Sequence, residues 1–342
     1  MTPGQRQDGR IGIRQVAERA GVAVSSVSRV LSGHPNVSKP MRRRVLLAVA
    51  DLGYEPDMLA QGLRRGATMT VGFVVGDISN PLLAEIALGA ETSLGKRGYS
   101  MLLANSQNDP RLDARHISLF RQRRVDGLLL SLADETSEAT LQALRLVLRP
   151  SVVIDREIDP SIGASAVLSD HAVAIGAAVD DLVGAGHRRI ALVTGPSTVR
   201  PSRVRADALQ ASVRRHRGVR AVTRAGQFSA EHGAVATTQL LDDRDPPTAL
   251  IAGSNQVLVG VLRTLKRRAM SIPEDVSVVT CDDVPLAELM APGFATIHRD
   301  STQLGREAAA LLLRRVEGGG PETRTLPVKY RRGKSVGPPS TD

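Results

Sequence analysis

Serine and arginine side chains along one short segment are the residues of this 342-residue chain best placed to contact a polyanion. Residues 15–33 read QVAERAGVAVSSVSRVLSG. The apolar residues of its second half recur at helical spacing: Val24, Val27, Val30 and Leu31. The opposite face is polar: Ser25, Ser26, Ser28, Arg29 and Ser32. Small hydroxyl side chains allow a helix to enter a DNA major groove about 12 Å wide. The pattern therefore predicts a helix that reads DNA, with Arg29 reaching a phosphate or a guanine.

Two further short helices must hold this one in place. The first is predicted from an apolar stripe: Ile13, Val16, Ala17 and Ala20. Gly21 follows it and suits the left-handed conformation that ends a helix. The third has Ser38 as its N-cap and Pro40 in its first turn. Its predicted apolar face is Val45, Leu46, Val49 and Leu52. Three short helices with a glycine turn between the first two predict a helix-turn-helix unit.

The charge distribution favours DNA over a protein partner for this unit. The formal net charge is +10, and residues 1–66 hold 11 Lys and Arg against 5 Asp and Glu. Three consecutive arginines, Arg42, Arg43 and Arg44, belong to this excess. A basic segment of this kind attracts a polyanion. The alternatives are a solvated basic surface and a small three-helix bundle that binds a protein.

From Thr70 onward, short Val- and Leu-rich strands alternate with helical segments, which predicts parallel sheets built from βαβ units. The predicted strands are 70–75, 100–105, 126–131, 151–155, 190–195, 249–253 and 276–281. The predicted helices are 81–97, 110–123, 171–185 and 202–216. This number of units suffices for two sheets, so we expect a two-lobed α/β domain.

Other classes of protein receive little support from the sequence. Cys281 is the only cysteine, which excludes an intrachain disulfide and a cysteine-based metal cluster. Asp282 and Asp283 are adjacent on a predicted strand and so point to opposite faces. We recognise no catalytic or nucleotide-binding motif, and we expect no cofactor, no metal and no enzymatic activity. The polar N-terminus has no apolar signal core, and no apolar run reaches about 18 residues. We therefore expect a cytoplasmic protein without membrane association.

The sequence resembles the LacI/GalR (lactose-repressor) family of bacterial transcription regulators over nearly its whole length. The DNA-binding part is similar in AERAGVAVSSVSRVLSG and VSKPMRRRVLLAVADLGYEPDMLAQGLRRGAT. The remainder is similar in DISNPLLAEIALGAE, KRGYSMLLANS, RRVDGLLLS, GHRRIALVTGP, PEDVSVVTCDDVPLA and ATIHRDSTQLGREAA. The resemblance implies an all-α helix-turn-helix headpiece joined to a periplasmic-binding-protein-like α/β domain of two lobes, with two parallel sheets and three crossover segments. It also implies a homodimer that binds a roughly palindromic DNA operator, most often as a repressor. A solute-binding protein of the same two-lobe fold is the alternative.

The resemblance also implies domain boundaries. Residues 11–55 form the headpiece and 56–69 a hinge helix or linker, between disordered tails at 1–10 and 336–342. The effector and dimerisation domain spans 70–330. Its first lobe, here the N-lobe, comprises about 70–169 and 300–328. Its second, the C-lobe, comprises about 170–297 and 329–335. No leucine heptad follows the last strand-like segment TLPVKY, so we expect a dimer and not a tetramer.

Two sets of site residues follow from the same resemblance. The implied DNA-facing positions are Ile13, Arg14, Ser25, Ser26, Ser28, Arg29, Ser32, Asn36 and Leu63. Leu63 matches a hinge leucine that wedges into the minor groove, where an apolar side chain can unstack a base step; the alternative is an ordinary linker residue. The implied effector-binding positions are Ser79, Asn80, Arg156, Arg205, Ser254, Asp282 and Arg299, with His298 at the border of the cleft. For Arg205 and Asp282 the alternative is a salt bridge that closes the lobes.

The implied pocket departs from the family in its aromatic residues. Leu83, Leu209 and Cys281 stand where family members often have aromatic side chains. Ser254 and Asn255 stand where an Asn-Asp pair is common. We therefore expect a small-molecule effector but no stacking surface for a sugar or purine. The arginines and His298 leave open a sugar, a related metabolite or an anionic ligand.

Overall fold

The computed structural model describes residues 11–31, 34–54, 67–283 and 293–340. Two predicted DNA-facing residues, Ser32 and Leu63, lie outside the described residues, as does most of the predicted linker. The chain divides into two units, one up to Thr68 and one from Met69 onward. No helix among the described residues is long and apolar enough to cross a membrane.

The described residues of the first unit form three helices: α1 (Ile13–Ala20), α2 (Val24–Leu31) and α3 (Lys39–Leu52). The predicted turn is confirmed, because Gly21 has φ 62° and ψ 42°, the left-handed conformation that glycine adopts without a Cβ penalty. Ser38 precedes α3 in extended conformation, and Pro40 lies in the first turn. The helices pack around a core of small and β-branched side chains: Val16, Ala17, Ala20, Val27, Val30, Val45 and Ala48.

Two predicted core residues of this unit are exposed. Val24 opens α2 and is 37% exposed, and Leu46 on α3 is 50% exposed. Ala48 takes the inner position on α3 instead, because a buried seam between short helices needs small residues where their backbones approach. The neighbouring Leu47 is also exposed.

The second unit contains two six-stranded sheets joined by three crossovers. The N-lobe sheet has the order β11-β5-β4-β3-β1-β2 and is entirely parallel. Its strands are β1 (Thr70–Val75), β2 (Ser100–Asn105), β3 (Gly127–Leu130), β4 (Ser151–Ile154), β5 (Ser165–Asp170) and β11 (Thr323–Pro327). The C-lobe sheet has the order β12-β10-β9-β8-β6-β7. Its strands are β6 (Arg189–Thr194), β7 (Arg220–Ala225), β8 (Ala249–Ala252), β9 (Ser277–Cys281), β10 (Ala295–His298) and β12 (Lys329–Arg331).

Three details correct the sequence-based expectation. The segment TLPVKY is two strands rather than one, because Val328 carries the chain from β11 in the N-lobe to β12 in the C-lobe. Strand β12 pairs antiparallel with β10, so the second sheet is mixed rather than parallel. Residues 336–340 are not a free tail, since Gly337 donates its amide to Ser277 (3.0 Å) and its carbonyl lies 2.9 Å from His187 Nε2.

Helices cover both faces of each sheet. They are α4 (Pro81–Gly95), α5 (Pro110–Gln122), α6 (Glu138–Arg145), α7 (His171–Gly184), α8 (Arg200–Val213), α9 (Ala230–Leu241), α10 (Asn255–Arg267) and α11 (Ser301–Val316), with a 3₁₀ turn at Pro160–Ile162. Phe73 and Leu129 face α4 and α11, and Val74 and Leu128 face α5 and α6. The C-lobe repeats this arrangement, with α7 and α8 on one face and α9 and α10 on the other. Helix α7 follows β5 of the N-lobe but packs in the C-lobe, and α11 follows β10 of the C-lobe but packs in the N-lobe. These two connections are the first two crossovers.

Glycine permits close helix crossings in both lobes. A Cβ on Gly260 of α10 would lie 2.1 Å from the Ala230 carbonyl oxygen of α9, and one on Gly305 of α11 would lie 2.0 Å from the Ile86 carbonyl oxygen of α4. Backbone atoms cannot move aside as a flexible side-chain end can. These glycines therefore set the distance between the paired helices.

We expect Gly260→Ala to destabilise the protein, because the helices must separate to admit the methyl group. Overpacking of this kind costs about 1–3 kcal/mol. A matched control is Gly184→Ala at the end of α7, where an added Cβ meets nothing within 4 Å. Thermal unfolding should show a lower Tm for Gly260→Ala and an unchanged or slightly higher Tm for Gly184→Ala. Equal Tm values for both variants would contradict the close crossing.

Candidate functional site

The recognition surface of the first unit is the outer side of α2. Val27 and Val30 are buried, while Ser25 and Arg29 are exposed and Ser26 and Ser28 are half-buried. The turn at residues 21–23 connects α1 to α2. The Ala23 carbonyl accepts hydrogen bonds from the amides of Ser26 (2.9 Å) and Val27 (3.2 Å). Ala23 therefore begins the helix without the side-chain oxygen that a capping serine would supply. The face offers hydroxyls close to the backbone and one long cation.

The other predicted DNA-facing residues lie around this helix. Arg14 on α1 and Asn36 between α2 and α3 are exposed. Ile13 is half-buried and packs against the headpiece core, so only part of its side chain is accessible. On the same helix, Arg19 is committed to an ion pair with Asp51 at 2.8 Å. Arg14 and Arg19 thus form a useful contrast within α1.

The second unit has a cleft where the carboxyl ends of the strands in both sheets meet. Loops after parallel strands converge at this edge, which is where α/β folds bind ligands. The cleft encloses about 620 Å³ of space, part of it open to solvent. Six of the predicted effector-binding residues line it: Asn80, Arg156, Arg205, Ser254, Asp282 and Arg299. Ser79 does not; it is exposed and donates to Asp77 through both its amide and its hydroxyl. His298 lies outside the cleft, next to Asp283 and at a second cavity near the crossovers.

Arg205 is the buried cation with the most unused donor capacity in the cleft. Its side chain is 1% exposed, and its Nη1 donates to the Gly253 carbonyl at 2.6 Å. Its Nε and Nη2 have no hydrogen-bond partner among the described residues, and Nη2 is 4.0 Å from Asp282 Oδ2. A buried donor without a partner costs free energy, so these nitrogens favour an acceptor that a bound molecule supplies.

Several lining residues were missed by sequence reasoning. Asp77, Asn108, Asp155, Phe228 and Gln256 also face the cleft. Phe228 corrects the expectation that a stacking surface is missing. Its ring packs where a Cβ on Gly195 would lie only 2.3 Å away, so glycine at 195 makes room for it. The sequence contains a signal for this residue, because Phe228 is one of only four phenylalanines and follows a strand of the C-lobe.

Of the three positions where family members often have aromatic side chains, Leu83 lines the cleft and the other two do not reach it. Leu209 and Cys281 are fully buried in the C-lobe core. Burial raises the pKa of the Cys281 thiol to about 11, which leaves it uncharged and unreactive at neutral pH.

The charged residues that line the cleft balance one another. Three carboxylates, Asp77, Asp155 and Asp282, face three guanidinium groups, Arg156, Arg205 and Arg299. Burial lowers the pKa of Arg156, although Glu135 and Asp155 oppose this effect. Burial also opposes the charge on Arg299, but Asp282 and Asp155 outweigh it and raise its pKa above the ordinary value. The net charge of the lining is therefore close to zero, which suits a neutral polar ligand better than an anion.

Hydrogen bonds from the chain itself cross the mouth of the cleft. Asn255 donates to Asn80 Oδ1 at 2.9 Å, and Gln256 donates to Asp77 Oδ2 at 2.8 Å. Burial alone would raise the pKa of Asp77, but its hydrogen bonds with Ser79 and Gln256 lower it below the ordinary value. At the other edge, Arg203 pairs with the buried Glu135. Side chains of the two lobes thus contact each other on both sides of the cleft.

Comparison with known proteins agrees with both units. Residues 12–57 match the family described as "Bacterial regulatory proteins, lacI family", and residues 179–336 match "Periplasmic binding protein-like domain". The chain is 34% identical over 311 residues to the ribose operon repressor of Escherichia coli K12, covering 89% of this chain and 92% of the relative. It is 30% identical over 318 residues to the transcriptional repressor CytR of the same organism, covering 92% of each.

Solved structures of similar fold include a lac repressor dimer bound to operator and an anti-inducer (TM-score 0.84, 24% identity, 96% of this chain and 99% of that one). Another is a LacI-family regulator of Enterococcus faecium with bound ribose (TM-score 0.70, 27% identity, 79% of this chain and 99% of that one). With a relative of this identity and coverage, the chain belongs to the LacI family of bacterial transcriptional regulators. It is a DNA-binding regulator and not an enzyme.

Proposed function

We propose that this regulator binds a pseudo-palindromic operator as a homodimer and represses transcription there under the control of a small effector. The observation that carries the DNA-binding part is the geometry of α2, whose apolar side is buried while Ser25 and Arg29 face outward behind a left-handed glycine turn. Two relatives are named as repressors, which supports repression rather than activation of transcription. A regulator of this kind acts where bacterial DNA is, in the cytoplasm.

The proposed division of labour follows the domain boundaries given above. Residues 11–55 serve as the DNA-binding headpiece and 70–330 as the effector and dimerisation domain. Residues 56–69 connect them, and Leu63 acts as the wedge at the centre of the operator. Kinking the duplex costs free energy that is offset by the additional contacts of the bent site.

The proposed effector is a neutral polyhydroxy molecule of monosaccharide size. The balanced charges disfavour an anion, the unpartnered nitrogens of Arg205 suit hydroxyl acceptors, and the ring of Phe228 offers an apolar face for the carbon side of a sugar. The E. coli relative is named for the ribose operon, and the E. faecium structure holds ribose. D-ribose is therefore the first molecule to test.

We expect D-ribose to raise the Tm of the purified protein and D-ribose 5-phosphate to have no comparable effect. A ligand at about 100 times its Kd stabilises the native state by about 2.7 kcal/mol, whereas a phosphate would bring two negative charges into a balanced cleft. Thermal unfolding with each compound makes the comparison, and D-sorbitol controls for general polyol effects. A larger shift with the phosphate would contradict a neutral effector.

Exposed apolar side chains support the proposed dimer. Leu88 on α4 is 58% exposed, and Leu102 on the edge strand β2 is 39% exposed. In the C-lobe, Val235 on α9 and Val259 on α10 are 57% and 38% exposed. Apolar residues repeated on both lobes fit an interface that runs along the domain.

We expect Leu102→Glu to convert the dimer to a monomer at micromolar concentration, since a buried unpaired charge at an interface is strongly unfavourable. Light scattering should give the mass of two chains for the wild type and of one chain for the variant. Leu148→Glu is the control, because Leu148 is 95% exposed in the connection between α6 and β4 and its change should leave the mass unaltered. A tetramer mass for the wild type would overturn the proposed assembly.

A further inference from the structure

The guanidinium of Arg299 joins two carboxylates that come from different lobes. Its Nη1 donates to Asp155 Oδ2, its Nε donates to Asp282 Oδ1 at 2.7 Å, and its Nη2 is 3.3 Å from Asp282 Oδ2. Asp155 follows β4 of the N-lobe, and Asp282 follows β9 of the C-lobe. Arg299 itself lies on the crossover between β10 and α11. We call these three residues the hinge triad.

The hinge triad is buried and firmly held. The side chains of Arg299, Asp155 and Asp282 are 8%, 5% and 5% exposed. Asp155 also accepts the amide (2.6 Å) and the hydroxyl (2.9 Å) of Ser169, beside another crossover. Asp155 and Asp282 adopt φ angles of 50° and 70°, a left-handed conformation that non-glycine residues adopt at a cost. Positive φ at both carboxylates of one ion cluster points to a constraint imposed by function.

All three nitrogens of Arg299 donate to the two carboxylates, so three of its five N–H groups are used by the protein itself. Removing one partner of a buried ion cluster leaves an uncompensated charge, which is strongly destabilising. Arg299 therefore supplies the cation that Asp155 and Asp282 share at the base of the cleft.

We propose that Arg299 is a positioning residue that fixes the carboxylates of Asp155 and Asp282 toward the effector and closes the two lobes by a bridge built from the chain itself. The two lobes then close at the hinge triad without a contact from the ligand. The effector binds to a preformed pair of acceptors, and the apparent affinity is not reduced by a largely open population. This inference goes beyond the proposed function and does not depend on which molecule is the effector.

The charged and titratable surroundings of the hinge triad determine how pH should act on it. Arg205 Nη2 is 4.0 Å from Asp282, and Arg200 Nη1 is 4.0 Å from Asp155. Arg156 and Cys281 lie next to the two carboxylates in the chain. Glu157 pairs with Arg200 at 2.8 Å, and His171 is buried nearby. Burial and the neighbouring cations Arg205, Arg299 and Arg200 hold the pKa of His171 well below its ordinary value, so both effects favour its neutral form.

The test is the unfolding temperature of the ligand-free protein between pH 5 and 8. In Arg299→Gln, the two carboxylates lose their shared cation, and we expect Tm at pH 8 to fall by roughly 5–10 °C relative to the wild type. Lowering the pH protonates one carboxylate and relieves the repulsion, so the difference from the wild type should shrink by at least half at pH 5. The double variant Asp155→Asn, Arg299→Gln should recover part of the lost Tm at pH 8. This double variant still tests the proposal if Arg299→Gln alone folds poorly.

The matched control is Arg97→Gln, which breaks the exposed pair Arg97–Glu317 and should leave Tm and its pH dependence unchanged. Titration with D-ribose adds a second readout, in which Arg299→Gln should bind more weakly at pH 8 than at pH 5. An equal loss of Tm at every pH would show that Arg299 contributes packing only and would overturn the proposal. No loss of Tm at any pH, or no recovery in the double variant, would overturn it as well. Because the Tm test needs neither DNA nor ligand, its failure is distinguishable from failure of the proposed function.

Discussion

Arg205→Ala should bind the operator with near-normal affinity but lose its response to the effector. Arg205 has two buried nitrogens that find no hydrogen-bond partner in the part of the chain that the structure describes, and a hydrogen bond from a charged group contributes about 1.5–3 kcal/mol. Losing two such bonds weakens effector binding about 100-fold or more. A ligand shifts an equilibrium only through its differential affinity for two states, so a protein that no longer binds it keeps the operator affinity of the ligand-free state. The measurement is operator affinity with and without effector.

The structure limits the competing explanation for such a result. If Arg205 served mainly to hold the C-lobe together, its removal would lower the Tm and abolish DNA binding. Asp282 keeps its 2.7 Å bond to Arg299 without Arg205, so we expect the charge cluster to survive the substitution. Arg205→Lys is a useful companion, since it keeps the charge but not the planar set of donors. A large fall in Tm together with lost operator binding would contradict the effector assignment.

Operator binding should weaken by about 10³–10⁵ between 50 and 200 mM salt, as expected for 6–10 phosphate contacts. The excess of 11 Lys and Arg over 5 Asp and Glu in residues 1–66 provides the cations for these contacts. Each cation that meets a phosphate adds about one unit to the slope of log affinity against log salt. Fluorescence anisotropy with a labelled operator at several salt concentrations gives this slope.

Two arginines of α1 provide a matched comparison for the salt effect. Arg14→Gln should reduce the slope by about two units, one for each chain of the dimer, because Arg14 is exposed on the side expected to face DNA. Arg19→Gln should leave it unchanged, because Arg19 pairs with Asp51 instead. Equal effects of the two substitutions would mean that the headpiece contacts DNA through a different surface.

Local patterns in the sequence are sufficient to predict most of the framework. The predicted strands at 70–75 and 100–105 agree with β1 and β2, because short apolar runs of this length bounded by turn residues favour strands over helices. The glycine turn before α2 and the first turn of α3 are likewise set by single residues with strong conformational preferences. The position of Leu46 could not be predicted from helical spacing alone, because Ala48 and not either of the adjacent leucines takes the inner position on α3.

The cleft was only partly predictable, since its contacts join residues far apart in the chain. Arg299 meets Asp155 across 144 positions, and Gln256 meets Asp77 across 179. No periodicity connects such positions, and only the crossovers bring them together. Phe228 could not be predicted from the positions where family members often have aromatic side chains, because this chain supplies an aromatic ring from the loop after β7 instead.

The central claim is that the headpiece recognises a specific operator, and selection of bound sequences from random DNA tests it most directly. The purified dimer is incubated with a random duplex library, and the selected site is compared with a scrambled duplex of the same composition by anisotropy at physiological salt. We expect the selected site to be pseudo-palindromic, to bind two chains and to be bound at least about 10³-fold more tightly than the scrambled duplex. Enrichment of no common sequence, or equal affinity for both duplexes, would contradict it.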